Sequence, residues 1–260
     1  MKTLEGKTAI ITGASSGIGY ETAKLFAAHG ANLILNGRRL DALEALAAEI
    51  RGQNHRPIVR PVVIASDITN EDAAQHLVET ALSEFGKLDI AFNNAGIMGK
   101  TGPLTNMSAN DWQTTLDTNL TSAFFNAKHQ IPALLQSPSG SLIFTSSFVG
   151  HTIGMPGMSA YGASKAGLIG LTKNLAAEYS PEGLRVNALL PGGTDTPMSV
   201  TNGPDADPDA LAFIEGLHAL KRLATPMEIA QAALFLASDA ASFVTGAAML
   251  VDGGVSINKT

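Results

Sequence analysis

A doubly wound α/β fold, a single domain with a seven-stranded parallel sheet and helices on both faces, is predicted by three observations. Short β-branched runs alternate with helical patterns along the whole chain, a glycine-rich turn follows the first run, and no repeat or low-complexity tract interrupts the alternation. The 260 residues, 45% hydrophobic and 15% charged, suffice to bury one full core. We therefore expect one Rossmann-like domain over residues 1–260.

Strand-like runs occupy residues 7–12, 32–36, 62–66, 88–92, 141–146, 184–190 and 247–251. Between them, Leu43, Leu46, Ala47 and Ile50 recur at helical spacing, as do Ala74, Leu77, Val78, Ala81, Leu82 and Phe85. Thr225-Pro226-Met227-Glu228 combines a capping hydroxyl, a first-turn proline and an acid at the third helical position, so a helix should run from there through Leu236. Strands joined by helices must run parallel, because each crossover returns the chain to the same sheet edge. The longest loop-like stretch, 197–209, contains Asn202-Gly203-Pro204 and Pro208. Within the wider segment 197–220 it reads either as a solvated loop or as a mobile cover over a substrate.

The first strand leads into Thr12-Gly13-Ala14-Ser15-Ser16-Gly17-Ile18-Gly19. Gly13, Gly17 and Gly19 allow a sharp strand-to-helix turn and leave bare N–H groups at a helix N-terminus, where a pyrophosphate binds. Their spacing, G-x-x-x-G-x-G, differs from the commoner G-x-G-x-x-G. A tight βα turn without a ligand would use the same glycines.

The second strand bears on the choice of cofactor. A carboxylate at its end bonds the ribose 2′-hydroxyl of NAD, whereas arginine accepts the 2′-phosphate of NADP. Here the run ends Leu35-Asn36-Gly37-Arg38-Arg39, with glycine at the carboxylate position and two guanidinium groups after it. NADP(H) is favoured, with NAD(H) possible. Alternatively, the arginines stack on adenine or face water. Asp67, with Ile68 beside it, is a candidate for the adenine amino group, or else caps the next helix in competition with Thr69 and Asn70.

Asn93-Asn94-Ala95-Gly96 follows the fourth strand, where an open parallel sheet holds its ligand, although such residues also make plain turns. Asn119 lies on an apolar helix face with Leu116 and Leu120, and is either a buried polar bridge or part of a water relay. Tyr161 and Lys165 stand four residues apart, on one side of a helix. The ammonium should lower the phenol pKa from about 10, fitting Tyr161 to exchange a proton with an oxygen beside a nicotinamide. Ser147, at the end of the fifth strand, can reach the same oxygen.

Taken together and in this order, Thr12-Gly13, Gly17-Ile18-Gly19, Asn93-Asn94-Ala95-Gly96, Asn119, Ser147, Tyr161 with Lys165, Pro191-Gly192 and Asp252-Gly253-Gly254 resemble a short-chain dehydrogenase/reductase of the single-domain kind over essentially the whole chain. The resemblance implies that Tyr161 is the acid/base and that Ser147 orients the reacting oxygen. It further implies that Lys165 tunes the tyrosine and binds the nicotinamide ribose, that Asn119 holds a relay water, and that Pro191, Gly192, Thr194 and Thr196 meet the nicotinamide end. Ser15 and Ser16 in the glycine turn, and Asn94, Ala95 and Gly96, would line the rest of the cofactor site. It also suggests a homotetramer, with the Tyr161 helix and the C-terminal strand at interfaces. Two departures stand out. The spacing from Ser147 to Tyr161 exceeds the family's common spacing by one residue, in the stretch from His151 to Pro156, which leaves Ser146 as a rival to Ser147. Ser16 replaces the basic residue found there in many NADP(H) enzymes, so phosphate recognition would rest on Arg38 and Arg39.

The expected function is NADP(H)-dependent interconversion of a ketone or aldehyde with an alcohol. An NAD(H)-linked polyol or hydroxysteroid dehydrogenase is the alternative within enzymes, and a cofactor-sensing binding protein is the alternative outside them. Pro138, Ser139 and Ala177 stand where relatives acting on acyl carriers present arginines, which disfavours a carrier-protein partner. Phe148, Met155, Met158 and Met198 suggest an apolar substrate pocket, or in part plain packing. A formal net charge of −6 argues against nucleic acid or anionic membrane as a partner. The absence of cysteine excludes thiolate chemistry, and His29, His55, His76, His129 and His218 show no metal-binding spacing. With no apolar run near about 18 residues and no apolar leader, a cytoplasmic location is expected.

Overall fold

A computed structural model describes residues 3–53, 59–199 and 208–259. Seven parallel strands, β1 (Thr8–Thr12), β2 (Asn32–Gly37), β3 (Pro61–Ala65), β4 (Ile90–Asn93), β5 (Ser141–Thr145), β6 (Arg185–Pro191) and β7 (Ala248–Val251), form one sheet in the order β3-β2-β1-β4-β5-β6-β7. Strand alternation decides the two faces. Ile11, Leu33, Leu35 and Phe92 point to one core, with α1 (Gly17–Ala28), α2 (Leu40–Gly52) and α8 (Pro226–Ala237). Ile10, Ile34, Ala91 and Phe144 point to the other, with α3 (Glu71–Phe85), α5 (Ser122–Leu134) and α6 (Ser159–Tyr179). Phe26, Phe92 and Phe144 are fully buried, each contributing about 1.5–3 kcal/mol from lost apolar hydration.

Local chemistry fixes the ends of the helices. Asn70 caps α3 by accepting from the Asp72 amide at 3.0 Å, and Gly86 ends it in the left-handed region. Thr225 and Glu228 form the expected capping box at α8, and Arg222 secures the Glu228 carboxylate. Ser108 and Asp111 form a second box at α4 (Ala109–Leu116), which passes through a π-helical turn, Asp117–Thr121, into α5. Strand ends differ from the sequence reading by one or two residues, as is usual where pairing frays.

One expectation needs correction. The segment 197–220 is not simply a loop, because Pro208–Leu217 forms α7. Pro208 occupies the first turn, where its missing N–H costs nothing, and Leu211, Ile214 and Leu217 recur at helical spacing. Asn202-Gly203-Pro204 and His55 lie outside the described residues. Among those described, no helix is long and apolar enough to cross a membrane.

The strand order reverses between β1 and β4, so the loops leaving their carboxyl ends diverge and open a crevice.

Candidate active site

That crevice is a cleft of about 780 Å³. The glycine turn after β1 forms its floor. Gly13 and Gly17 have φ of +69° and +56°, which side-chain-bearing residues rarely adopt. Gly19 is needed for a different reason: a Cβ there would stand 2.3 Å from the Gly13 carbonyl oxygen. The turn therefore closes on itself, and its N–H groups open the N-terminus of α1.

Arg38 and Arg39, both exposed, follow β2 at the mouth of the cleft. The Arg39 guanidinium donates to the Ser15 carbonyl at 3.0 Å, which holds it over the glycine turn. A Cβ on Gly37 would meet Ser15 and Leu43 no closer than 3.4 Å, ordinary contact, so a Cβ fits there. Asp67 Oδ1 accepts from the Thr69 amide and hydroxyl at 3.0 and 2.9 Å, and those bonds hold its carboxyl below the usual range. It thus stabilises the turn before α3, while Asn70 provides the cap.

After β4, Asn94 is committed on every side. Its Nδ2 donates to the Thr12 carbonyl at 3.2 Å, its Oδ1 accepts from Thr145 at 3.2 Å, and its amide donates to Thr12 Oγ1 at 3.0 Å. The ends of β1, β4 and β5 are thereby held in register at the crevice. A Cβ on Gly96 would come within 3.1 Å of Asn119 Oδ1 and 3.2 Å of Lys165 Nζ, so glycine lets this segment pass close to both.

Asn119 is buried in the π-helical turn. Its Oδ1 accepts from the Ile97 amide at 2.8 Å, and its Nδ2 donates to the Ile97 carbonyl at 2.9 Å and to Ser164 Oγ at 3.0 Å. These contacts use both of its amide protons and its carbonyl oxygen.

Tyr161 and Lys165 both face the cleft from α6, the Lys165 Nζ lying 5.7 Å from the center of the Tyr161 ring. Lys165 is buried, and its ammonium donates to the Thr145 carbonyl at 2.8 Å. Desolvation lowers its pKa to about 8. The expected lowering of the phenol does not follow. Burial pushes Tyr161 above its ordinary value, opposed by a hydrogen bond with Ser147. Ser147 also accepts from the Val149 amide at 3.1 Å, whereas Ser146 donates to the Lys165 carbonyl at 2.7 Å and so supports α6. His151 is exposed.

The segment leaving β6 closes the other side. Gly192 passes so close to Asp252 that a Cβ would stand 2.7 Å from its Cα, and Thr196 packs on Gly17, bringing this segment over the glycine turn. Thr194 donates to the Gly192 carbonyl at 3.1 Å. Of the sequence-derived candidates, Gly19 and Asn119 do not line the cleft, and neither does Asn93, whose amide pairs with Gln130. Phe148, Met155, Met158 and Met198 are among the cleft's lining residues, and Phe148, Met155 and Met158 also pack together with Val149 and Val255. Sequence reasoning missed Ile97, Thr114, Thr118, Ile214, Leu217 and His218. Only the helical spacing of Ile214 and Leu217 offered a signal.

The family model described as enoyl-(acyl carrier protein) reductase matches residues 13–256. A cis-4-hydroxycyclohexanecarboxylate dehydrogenase of Sinomonas cyclohexanicum is 38% identical, over 95% of this chain and 96% of that one. A 2,5-dichloro-2,5-cyclohexadiene-1,4-diol dehydrogenase of Sphingobium indicum is 39% identical, over 98% of each. The crystal structure of a short chain dehydrogenase from Burkholderia cenocepacia in complex with NADP superposes with a TM-score of 0.88 at 31% identity, covering 97% of this chain and 99% of that one.

Proposed function

The chain belongs to the short-chain dehydrogenase/reductase family and is an oxidoreductase acting on CH–OH groups, and on that premise we propose that it reduces a neutral six-membered-ring ketone with NADPH. The observation that carries this reading is the convergence of Ser147, Tyr161 and Lys165 on one face of a dinucleotide-sized cleft whose far end is apolar. The bound nicotinamide would supply hydride to the carbonyl carbon.

Tyr161 donates the proton to the carbonyl oxygen. A phenol at or above its ordinary value is protonated at neutral pH, the form that can give its proton to a carbonyl oxygen. Ser147 orients that oxygen by hydrogen bonding. Lys165 holds positive charge over the ring and, with its ammonium held by the Thr145 carbonyl, would meet the nicotinamide ribose. Asn119 acts at one remove, positioning the 94–97 backbone against the cofactor.

Residues of the cleft fit a dinucleotide. The glycine turn presents N–H groups at the α1 N-terminus to the pyrophosphate. Arg38 and Arg39, with no carboxylate at Gly37, support binding of a 2′-phosphate, and the NADP complex of a structural neighbour is consistent with this. Two relatives named for six-membered-ring alcohols support the ring class. Met155, Met158, Ile214 and Leu217 support a neutral, apolar molecule. Pro138, Ser139 and Ala177, which bring no guanidinium to the surface, speak against a carrier-bound acyl chain. A tetramer is part of the proposal, supported by exposed Phe235, Phe243 and Leu250 on and around α8 and β7.

The test is NADPH oxidation, followed by absorbance, with cyclohexanone and substituted cyclohexanones. Tyr161→Phe should lower kcat by about 10²–10⁴ while leaving NADPH binding within a few-fold. Turnover retained by the variant would remove Tyr161 from its role. NADPH binding with no turnover of any ketone or alcohol would favour the binding-protein alternative.

A further inference from the structure

His218 has no part in the chemistry above, yet it joins the two walls of the cleft. The imidazole is 2% exposed and sits one residue beyond α7. Its Nδ1 lies 2.8 Å from the Ile214 carbonyl, and its Nε2 lies 2.9 Å from the Gly193 amide. A carbonyl only accepts and a backbone amide only donates, so Nδ1 carries the proton and Nε2 offers its lone pair. One ring thereby ties the helix that supplies Ile214 and Leu217 to the backbone that follows β6.

Neighbouring contacts tighten this junction. A Cβ on Gly193 would stand 2.7 Å from His218 Cε1, so glycine permits the approach. Gly193 also accepts from the Ala224 amide at 2.9 Å, and the Leu220 amide donates to the Gly253 carbonyl at 3.1 Å. Between them, Lys221 adopts φ of +54°, alone among the described non-glycine residues in that region. A strained residue persists only where its surroundings over-determine it. The turn after His218 is therefore held in place, and α7 hangs from it.

We propose that His218 is a positioning residue that fixes the α7 wall of the substrate pocket to the Gly193 backbone, and through it to the cofactor segment 191–196. The end of α7 that carries Leu217 is held by this ring together with the Asn258 side-chain amide, which donates to the Gly216 and Leu217 carbonyls at 3.1 and 3.0 Å. Leu217 also packs on Phe148, Val149 and Val255. Of these contacts, only the ring reaches the Gly193 backbone. Substrate fit, more than the chemical step, depends on it. The placement of substrate against α7 rests on the function proposed above; the junction itself does not.

Amide hydrogen exchange on the full chain, measured with no substrate, tests the junction. His218→Phe keeps most of the volume and removes both hydrogen bonds. It should speed exchange in 211–217 by about 30-fold, the value of two lost hydrogen bonds, while exchange in α3 on the far face stays unchanged. His218→Gln can return an acceptor to the Gly193 amide and should recover to within about threefold of wild type; His218→Asn, too short to reach it, should resemble Phe. This Gln and Asn contrast decides the matter if the Phe variant does not fold. With cyclohexanone and NADPH, the Phe variant should raise KM about tenfold with kcat within about twofold. Unchanged exchange in 211–217, equal behaviour of Gln and Asn, or acceleration spread equally to α3 would each overturn the proposal. A chain that turns over no ketone but shows the exchange pattern would retain the junction and lose only the function reading.

Discussion

Replacing Asn119 by alanine separates a chemical role for this residue from a structural one. The change removes three hydrogen bonds, to the Ile97 amide, the Ile97 carbonyl and Ser164 Oγ. Each contributes about 1 kcal/mol net, and a buried group left unpaired costs more. Ile97 is only half-buried, so water can replace part of what is lost there. The expected destabilisation is about 2–3 kcal/mol, or about 4–12 °C in Tm for a chain of this size. Urea unfolding at pH 7 followed by tryptophan fluorescence reads this directly, and titration with NADPH should show weakened binding because Gly96 loses its backing. Asn119→Asp keeps one acceptor and loses both donors, so it should do no better than alanine. A variant destabilised by less than about 0.5 kcal/mol that nonetheless loses turnover with NADPH binding intact would refute the reasoning, since the side chain would then act on the reaction and not on the 94–97 segment.

Two further outcomes follow from the same geometry. Gly37→Asp brings a carboxylate to the ribose end of β2, where a Cβ makes only ordinary contacts; NADPH affinity should fall by about 10- to 100-fold and NADH affinity should rise, in steady-state kinetics with both cofactors. An unchanged preference would dissociate Arg38 and Arg39 from the 2′-phosphate. Lys165, lowered to about 8 by burial, is charged below that pH and neutral above it, so kcat/KM for reduction should hold level through neutrality and decline as pH rises past about 8. In Lys165→Arg the decline should vanish along with much of the rate, because guanidinium stays charged but cannot repeat the Thr145 contact; a wild-type profile that is flat to pH 9.5 would sever that titration from the reaction.

The alternation of β-branched runs with helical stripes was enough to read the sheet, because Ile10 and Ile11, or Ile34 and Leu35, must face opposite cores whatever the loops do. Tyr161 and Lys165 were legible for a similar reason, since four residues on a helix is a local distance. What stayed hidden depends on contacts between distant parts of the chain. The anchoring of Lys165 on Thr145, and the burial that raises the Tyr161 phenol, come from packing α6 against the end of β5. The partners of Asn119 lie 22 and 45 residues away. His218 resembled any other histidine because Gly193, 25 residues earlier, carries no side chain to signal a partner. The helix Pro208–Leu217 was masked by Asn202-Gly203-Pro204 and Pro208, whose turn chemistry outweighed a short apolar spacing.

Every strand runs the same way, so the cleft is stitched from segments between Gly13 and His218 that meet only at one rim of the sheet. No short fragment of the chain carries a working portion of it. A dinucleotide therefore binds the finished fold and has little to grip on a partly formed one, which makes it a thermodynamic brace as well as a reactant. Such non-local pairing also slows assembly, so the cofactor should meet the protein late, after the last parallel strand has docked.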